Sequence, residues 1–161
     1  MVEQSRIEQY MQSVIHKVGQ YGWMVQSVFG TDTSPPWSYT VGFWQNYRHP
    51  EIVVFGLPQE TAGRILNDIG DQVSVGTKFE PGAPHDEIVK GHAGQRYECV
   101  FINVHTSAHG EYFGVASNFY HGRLRYRVRQ LVWPDPDNRL PFETGYDPCQ
   151  PILDEHWAER N

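Results

Sequence analysis

The sequence has few of the features that mark secreted, disulfide-bonded or membrane-spanning proteins. It contains 2 cysteines, Cys99 and Cys149, and they form no CxxC pair. Residues 1–20 mix charged and polar side chains with apolar ones, unlike a secretory leader. No apolar run approaches the roughly 20 residues that a membrane-spanning helix needs. We therefore expect a cytoplasmic protein that stays out of the membrane.

An excess of positive charge is also missing. The chain has 13 lysines and arginines against 19 aspartates and glutamates, which gives a formal net charge of −6. Proteins that bind nucleic acids in general depend on a basic surface that releases counterions from the phosphate backbone. General nucleic-acid binding is therefore not expected, and any basic site must be local.

No complete catalytic motif occurs. The chain has no GxSxG elbow, no GxGxxG or GxxxxGK[ST] loop and no HExxH pair. The WPD triplet at 133–135 is similar to the acid loop of tyrosine phosphatases, but neither cysteine is followed six residues later by the arginine that such an enzyme needs. The sequence thus leaves open whether the protein is an enzyme, and it assigns no cofactor.

The histidines do not have the spacing of a metal site. The chain has 8 of them, and the group at His85, His92, His105 and His109 falls in or next to predicted loops. Two histidines four residues apart converge on a helix but separate along a strand, and the predicted strand ends almost where His105 begins. We expect no metal site.

What the chain does have is enough length and enough aromatic residues for one domain, spanning 1–161. Hydrophobic residues make up 39% of the sequence and aromatic residues 14%. Large rings must therefore fill much of the core. We expect the core to include Trp23, Trp37, Tyr39, Val41, Val53, Phe55, Ile65, Leu66, Phe101, Leu131 and Trp133.

The order of helical and extended patterns predicts an α+β fold. Apolar residues recur at helical spacing over 5–19 and 58–70, and the latter range opens with a proline that suits a first helical turn. Two runs of β-forming residues, 37–43 and 51–57, predict an antiparallel hairpin. The remaining predictions are strands at 23–30, 97–104 and 123–133, a helix at 109–121, short strands around a loop within 71–94, and a short or frayed helix at 152–161. We expect a single domain with a twisted, mostly antiparallel sheet of about five to seven strands, flanked by two or three helices.

Several segments resemble one family of uncharacterised bacterial and phage proteins. They are YTVGF (39–43), HPEIVVFGL (49–57), QLVWPD (130–135) and NRLPFETGY (138–146). The chain is similar, over about residues 20–150, to domain of unknown function family 4262. Because that family has no assigned activity, the resemblance implies a fold and supplies no function.

The most informative segment is RLRYRVRQLVWPD at 123–135. Its four arginines alternate with apolar residues, so in an extended backbone all four guanidinium groups lie on one face. Their mutual repulsion must be offset by acidic partners such as Glu98, by water or by a bound anion. The aspartates that flank Pro136 suit a turn better than an acid–base pair.

Our leading hypothesis is a module that binds a small anionic molecule or a protein partner in an aromatic cleft beside this arginine face. The predicted ligand-binding residues are Arg123, Arg125, Arg127, Arg129, Tyr39, Trp133 and Asp135. Two alternatives remain open. One is an enzyme of the flavin split-barrel type, in which a cofactor phosphate meets basic strand residues. The other is a phage or host protein-interaction protein that acts through its surface.

Overall fold

One open sheet of five strands organises the described residues, which are 2–90, 94–121, 125–143 and 150–154 of a computed structural model. The strand order is β1-β2-β3-β5-β4. Neighbouring strands are antiparallel except for β3 and β5, which are parallel. The predicted α+β class with a mostly antiparallel sheet is confirmed. The elements are α1 (Val2–Tyr21), β1 (Met24–Val28), β2 (Trp37–Val41), α2 (Phe43–Tyr47), β3 (Glu51–Phe55), α3 (Gln59–Ser74), β4 (Val100–Asn103), a 3-10 turn (Thr106–Ala108), α4 (His109–Tyr112), α5 (Gly114–Tyr120) and β5 (Val128–Val132).

The two faces of the sheet carry separate apolar clusters, because successive side chains of a strand point to opposite sides. On one face α1 and α5 cover a cluster that includes Tyr39, Val53 and Val128. On the other face α3 covers a cluster that includes Ile52, Val54 and Leu131. Every core residue predicted from the sequence belongs to one of these clusters or packs against it.

The parallel pairing of β3 with β5 determines where the arginine segment lies. Glu51 is in register with Val128, and its backbone N–H donates to the carbonyl oxygen of Arg127 over 2.8 Å. This hydrogen bond fixes Arg127 beside the start of β3. The start of β3 follows the end of α2 closely along the chain, so Arg127 also lies near that end of the helix. No local pattern predicts this pairing, because the two strands are separated by more than 70 residues of sequence.

The long helices and the hairpin agree with the sequence. The helices predicted at 5–19 and 58–70 are confirmed as α1 and α3, which both extend further. The predicted hairpin is confirmed as β2 and β3, but its connection holds the unpredicted helix α2. None of the described helices is long and apolar enough to cross a membrane.

Three local predictions are wrong in their extent. Within 71–94 no regular strand forms among the described residues: Val73 completes the buried stripe of α3, and only isolated bridges follow. The helix predicted at 109–121 is interrupted at Phe113. The arginine strand is limited to Val128–Val132, because only this part pairs with neighbours. Residues 122–124 and 155–161 lie outside the described residues.

Candidate anion-binding pocket

A buried glutamate determines where α2 begins. Glu51 is fully buried, and its carboxylate accepts hydrogen bonds from the backbone N–H groups of Gly42, Phe43 and Trp44, each over 3.1 Å. These are N–H groups that a helix start leaves without partners inside the helix. The hydroxyl groups of Thr40 and Tyr120 donate to the same carboxylate. A helix of only five residues is thus held in place by a side chain of the adjacent strand.

The pKa of Glu51 reflects two opposing effects. Burial disfavours the charged carboxylate and raises its pKa from 4.5 to about 7, while the hydrogen bonds from Tyr120, Trp44, Thr40 and Gly42 act in the opposite direction. The same burial, together with the adjacent carboxylate, raises the pKa of the Tyr120 hydroxyl. Tyr120 therefore stays protonated and donates.

The C-terminal end of α2 presents a cation in an uncommon backbone conformation. Arg48 caps the helix in the left-handed region, with φ of 53°, which non-glycine residues seldom adopt. The side chains of Trp44 and Tyr47 precede it, and the ring of Tyr47 packs edge-on against Trp23 and Phe43. A strained, exposed arginine beside aromatic rings is the kind of backbone outlier from which a functional hypothesis can start.

His49 is a neutral part of the same region. Its Nδ1 lies 2.7 Å from the carbonyl oxygen of Pro50, and its Nε2 accepts the backbone N–H of Phe79 over 3.1 Å. Because Nε2 accepts, the proton lies on Nδ1, which donates to Pro50. Burial lowers the pKa of His49, so the imidazole adds no positive charge at neutral pH.

Arg129 is already engaged by protein groups. Its Nη1 donates to the carbonyl oxygen of Phe79 over 2.8 Å, its Nε donates to Oδ1 of Asn103 over 3.3 Å, and its Nη2 lies 3.4 Å from the carboxylate of Glu80. Only 14% of its side chain is exposed. Arg129 therefore ties the segment after α3 to the sheet, and its acidic partner is Glu80, one of the acids other than Glu98 that the sequence left open.

These elements enclose a small cavity of about 240 Å³, which we call the basic pocket. Its walls come from α2 and its C-terminal cap, from the segment after α3 and from the start of β5. The lining residues are Trp44, Tyr47, Arg48, His49, Pro50, Gly76, Lys78, Glu80, Arg127 and Arg129.

Positive charge in the basic pocket exceeds negative charge. Among the described residues, four lysine and arginine side chains line it, against the carboxylate of Glu80. Arg48, Lys78 and Arg127 form no ion pair with any acidic side chain in the part of the chain that is described. The guanidinium of Arg127 lies over the ring of Trp44, 6.0 Å from its centroid. A local excess of cations in an acidic protein is a suitable environment for an anion.

The arginines predicted from the sequence divide between several environments. Arg127 and Arg129 line the basic pocket, whereas Arg125 is exposed and is not among its lining residues. Arg123 lies outside the described residues. The predicted alternation itself is present, because Tyr126 and Val128 are buried while Arg125 and Arg127 are exposed. Of the three described arginines of this segment, Arg127 and Arg129 line the pocket and Arg125 does not.

The other predicted ligand-binding residues lie elsewhere. Tyr39 is 2% exposed on the opposite face of the sheet, where its hydroxyl oxygen accepts the backbone N–H of Val115 over 3.1 Å. Trp133 is six residues beyond Arg127, roughly 20 Å along an extended chain, and its Nε1 donates to the carbonyl oxygen of Phe55 over 2.7 Å. The aromatic wall of the basic pocket is Trp44 and Tyr47, not Tyr39 and Trp133.

Asp135 stabilises a turn, as one of the two interpretations of its sequence context predicts. Its carboxylate accepts the backbone N–H groups of Asp137 and Arg139 and the Nε of Arg139, over 3.0, 2.9 and 3.0 Å. With these bonds it closes the loop that follows β5. Any binding role for Tyr39, Trp133 or Asp135 stays a prediction.

Sequence reasoning missed Arg48, Lys78, Trp44 and Glu51. The first three lie in different segments that only the folded chain brings together. Glu51 had a signal of its own, because it is the single carboxylate in a strand that is otherwise apolar. A charged residue is almost never fully buried unless it is paired or hydrogen-bonded, so this position already indicated a local function.

Other parts of the described chain offer less for chemistry. No group of three or more histidine, cysteine, aspartate or glutamate side chains is close enough to hold a metal ion within the described ranges. Burial raises the pKa of the Cys99 thiol to about 12, so this cysteine is a poor nucleophile. A larger concavity of about 630 Å³ lies between α1 and α5, and Glu3 and Arg6 are the only charged side chains among its described lining residues.

Comparison with known proteins identifies the family and no activity. No curated protein and no solved structure matches the chain. Residues 17–147 match the family model described as domain of unknown function (DUF4262), and this range includes all the lining residues of the basic pocket. Since the match covers most of the 161 residues, the chain belongs to the DUF4262 family.

Proposed function

We propose that the protein binds a small anion in the basic pocket and has no chemistry of its own there. The observation that supports this proposal is the collection of Arg48, Lys78 and Arg127 around one cavity, with no acidic partner for any of them among the described residues. Like charges held close together repel, and a bound anion offsets that repulsion. Charge-assisted hydrogen bonds from arginine and lysine are among the stronger ones available in water.

The pocket is partly preorganised. Arg127 is fixed by its backbone bond to Glu51, Arg48 by the end of α2, and the segment that carries Lys78 by the contacts of Arg129 and His49 with Phe79. Less ordering of the protein is then required when a ligand binds, which favours affinity.

Isothermal titration calorimetry with inorganic phosphate at about 0.15 M ionic strength, where charges on the surface are screened within about 8 Å, tests the proposal. We expect saturable binding to the unchanged protein, and at least about tenfold weaker binding to Arg127→Glu, because a charge-assisted hydrogen bond contributes about 1.5–3 kcal/mol. Arg125→Glu is the matched control: it changes the net charge equally, two residues away, at a side chain outside the pocket. Its affinity should stay within about twofold of the unchanged protein, since screened surface charges contribute little. Equal losses in the two variants, or no binding by the unchanged protein, would refute the proposal.

The flavin alternative receives no support from the sheet. β1 and β4 are at opposite edges, so the described strands do not close into a barrel. At about 240 Å³ the pocket is also smaller than the roughly 300–1,000 Å³ of cavities that enclose drug-sized ligands. If the purified protein is colourless and does not bind added flavin mononucleotide, this alternative is wrong.

A protein-interaction role also stays a prediction. Exposed apolar side chains do occur on α1, where Ile7, Tyr10 and Ile15 are 42–47% exposed. Nothing in the described residues indicates what partner would cover them.

A further inference from the structure

We infer that the basic pocket recognises a terminal phosphoryl group, either as free phosphate or as the head group of a small phosphomonoester, and makes no specific contact with the rest of the molecule. This inference rests on the proposed function and narrows it to one ligand class.

The first argument is charge. Of the four lysine and arginine side chains that line the pocket, Arg129 is paired with Glu80. His49, which also lines it, is neutral, and both of its ring nitrogens are engaged. Arg48, Lys78 and Arg127 remain without an acidic partner among the described side chains. Electrostatic attraction grows in proportion to ligand charge, so a dianion offsets this surplus better than a carboxylate with one charge.

The second argument is the origin of the donors. The three cations come from the cap of α2, the segment after α3 and the residue before β5. A planar carboxylate best matches one planar arginine fork, whereas the oxygens of a phosphoryl group can accept from several separate groups. Lysine contributes as a compact point charge, which is its usual role at phosphate sites.

The third argument concerns what the pocket lacks. A cavity of about 240 Å³ holds a compact head group but not a nucleotide as well. The guanidinium of Arg127 lies over one face of the Trp44 ring, and the rings of Trp44 and Tyr47 both pack against the apolar clusters of the core. A nucleobase would therefore find few free ring faces to stack on, and the body of a phosphomonoester would project into solvent.

A calorimetric panel at pH 8 tests the inference, since phosphomonoesters are dianions above their second pKa of about 6. The ligands are inorganic phosphate, ribose 5-phosphate, adenosine monophosphate, adenosine and acetate. We expect the three phosphate compounds to bind within about threefold of one another, adenosine not to bind, and acetate to bind at least about tenfold more weakly. Lys78→Ala should weaken all three phosphate compounds by the same factor, while Lys90→Ala, at an exposed lysine outside the pocket, should weaken none.

The outcomes separate this inference from the proposed function. Acetate binding as tightly as phosphate would overturn the phosphoryl class while leaving anion binding intact. Adenosine monophosphate binding more than tenfold tighter than ribose 5-phosphate would overturn recognition of the head group alone. Inorganic phosphate binding much more tightly than either ester would support the class and identify the free ion as the source. No binding of any anion would refute the proposed function itself.

Discussion

Glu51 connects the core of the protein to its candidate site. It is the one charged residue of β3, the middle strand of the sheet, and the cost of burying a carboxyl there is offset by five hydrogen-bond donors. Three of these donors belong to the N-cap residue Gly42 and to the first turn of α2, the helix that carries Trp44 and Tyr47. The same carboxyl group thus helps to position two walls of the basic pocket.

The raised pKa of Glu51 predicts a pH dependence of stability. Its folded-state pKa of about 7 lies above the ordinary value of 4.5, so the folded protein retains a proton that the unfolded chain has released. The contribution of Glu51 to stability is then fully present below pH 4.5 and is lost as the pH rises through 7. Glu51→Gln lacks this titration. Urea denaturation at pH 5 and pH 8 should show a larger decrease in the free energy of unfolding for the unchanged protein than for the variant, by at most about 1.4 kcal/mol per unit of pKa difference.

Glu60→Gln, at an exposed position in the first turn of α3, controls for the loss of one carboxylate. Its pH profile should follow that of the unchanged protein. Parallel profiles for all three proteins would contradict the account, since they would mean that the donors around Glu51 keep it ionised even at pH 5.

The arginine segment shows what residue patterns can and cannot predict. Alternation of charged and apolar side chains over 123–129 was sufficient to predict which of the described residues face inward, because this depends only on the period of an extended chain. It did not reveal that Arg129 is engaged by Glu80 and Phe79, or that Arg48 and Lys78 join Arg127. Those contacts arise from the tertiary fold.

At the scale of elements, the short helix α2 is the element that the sequence did not predict. It is also the element that contributes the aromatic wall of the basic pocket. Residues 43–47 offer only one pair of aromatic residues four apart on the same helix face, Phe43 and Tyr47, and five residues are far too few for a helix that is stable alone. α1 and α3 were predictable because their stripes extend over several turns. The short helix depends instead on Glu51 and on the conformation of Gly42 before it.

Gly42 has φ of 121°, a conformation that favours glycine, and an added Cβ would lie 2.6 Å from the carbonyl oxygen of Gly22 and 2.9 Å from Cα of Trp23. Gly42→Ala should therefore destabilise the protein by about 1–3 kcal/mol through backbone strain, with the steric clash in addition. It should also weaken phosphate binding, because α2 would lose its starting geometry. Chemical denaturation measures the loss of stability, and calorimetry measures the loss of phosphate affinity.

Gly63 supplies the opposite case within α3, where an added Cβ meets nothing within 4 Å. Gly63→Ala should stabilise the helix by about 0.5–1 kcal/mol and leave phosphate affinity unchanged. A tolerated Gly42→Ala substitution with normal phosphate binding would show that α2 does not depend on this turn.

At the scale of the whole molecule, the basic pocket is a product of non-local pairing. The three cations that pair with no described acidic side chain lie at positions 48, 78 and 127, and the parallel contact between β3 and β5 brings the last of them to the end of α2. Composition and periodicity predicted the class of fold and the core, because these follow from local patterns. They could not predict the pocket, since no local pattern specifies which distant segments meet.

The most direct test of anion binding is a crystal structure of the protein with tungstate, a heavy analogue of a tetrahedral dianion. The account predicts an anomalous peak in the basic pocket, within about 4 Å of the terminal nitrogens of Arg127 and Lys78, and its loss in Arg127→Glu but not in Arg125→Glu. A pocket without tungstate in the unchanged protein, or a peak only at cations elsewhere on the surface, would contradict the account.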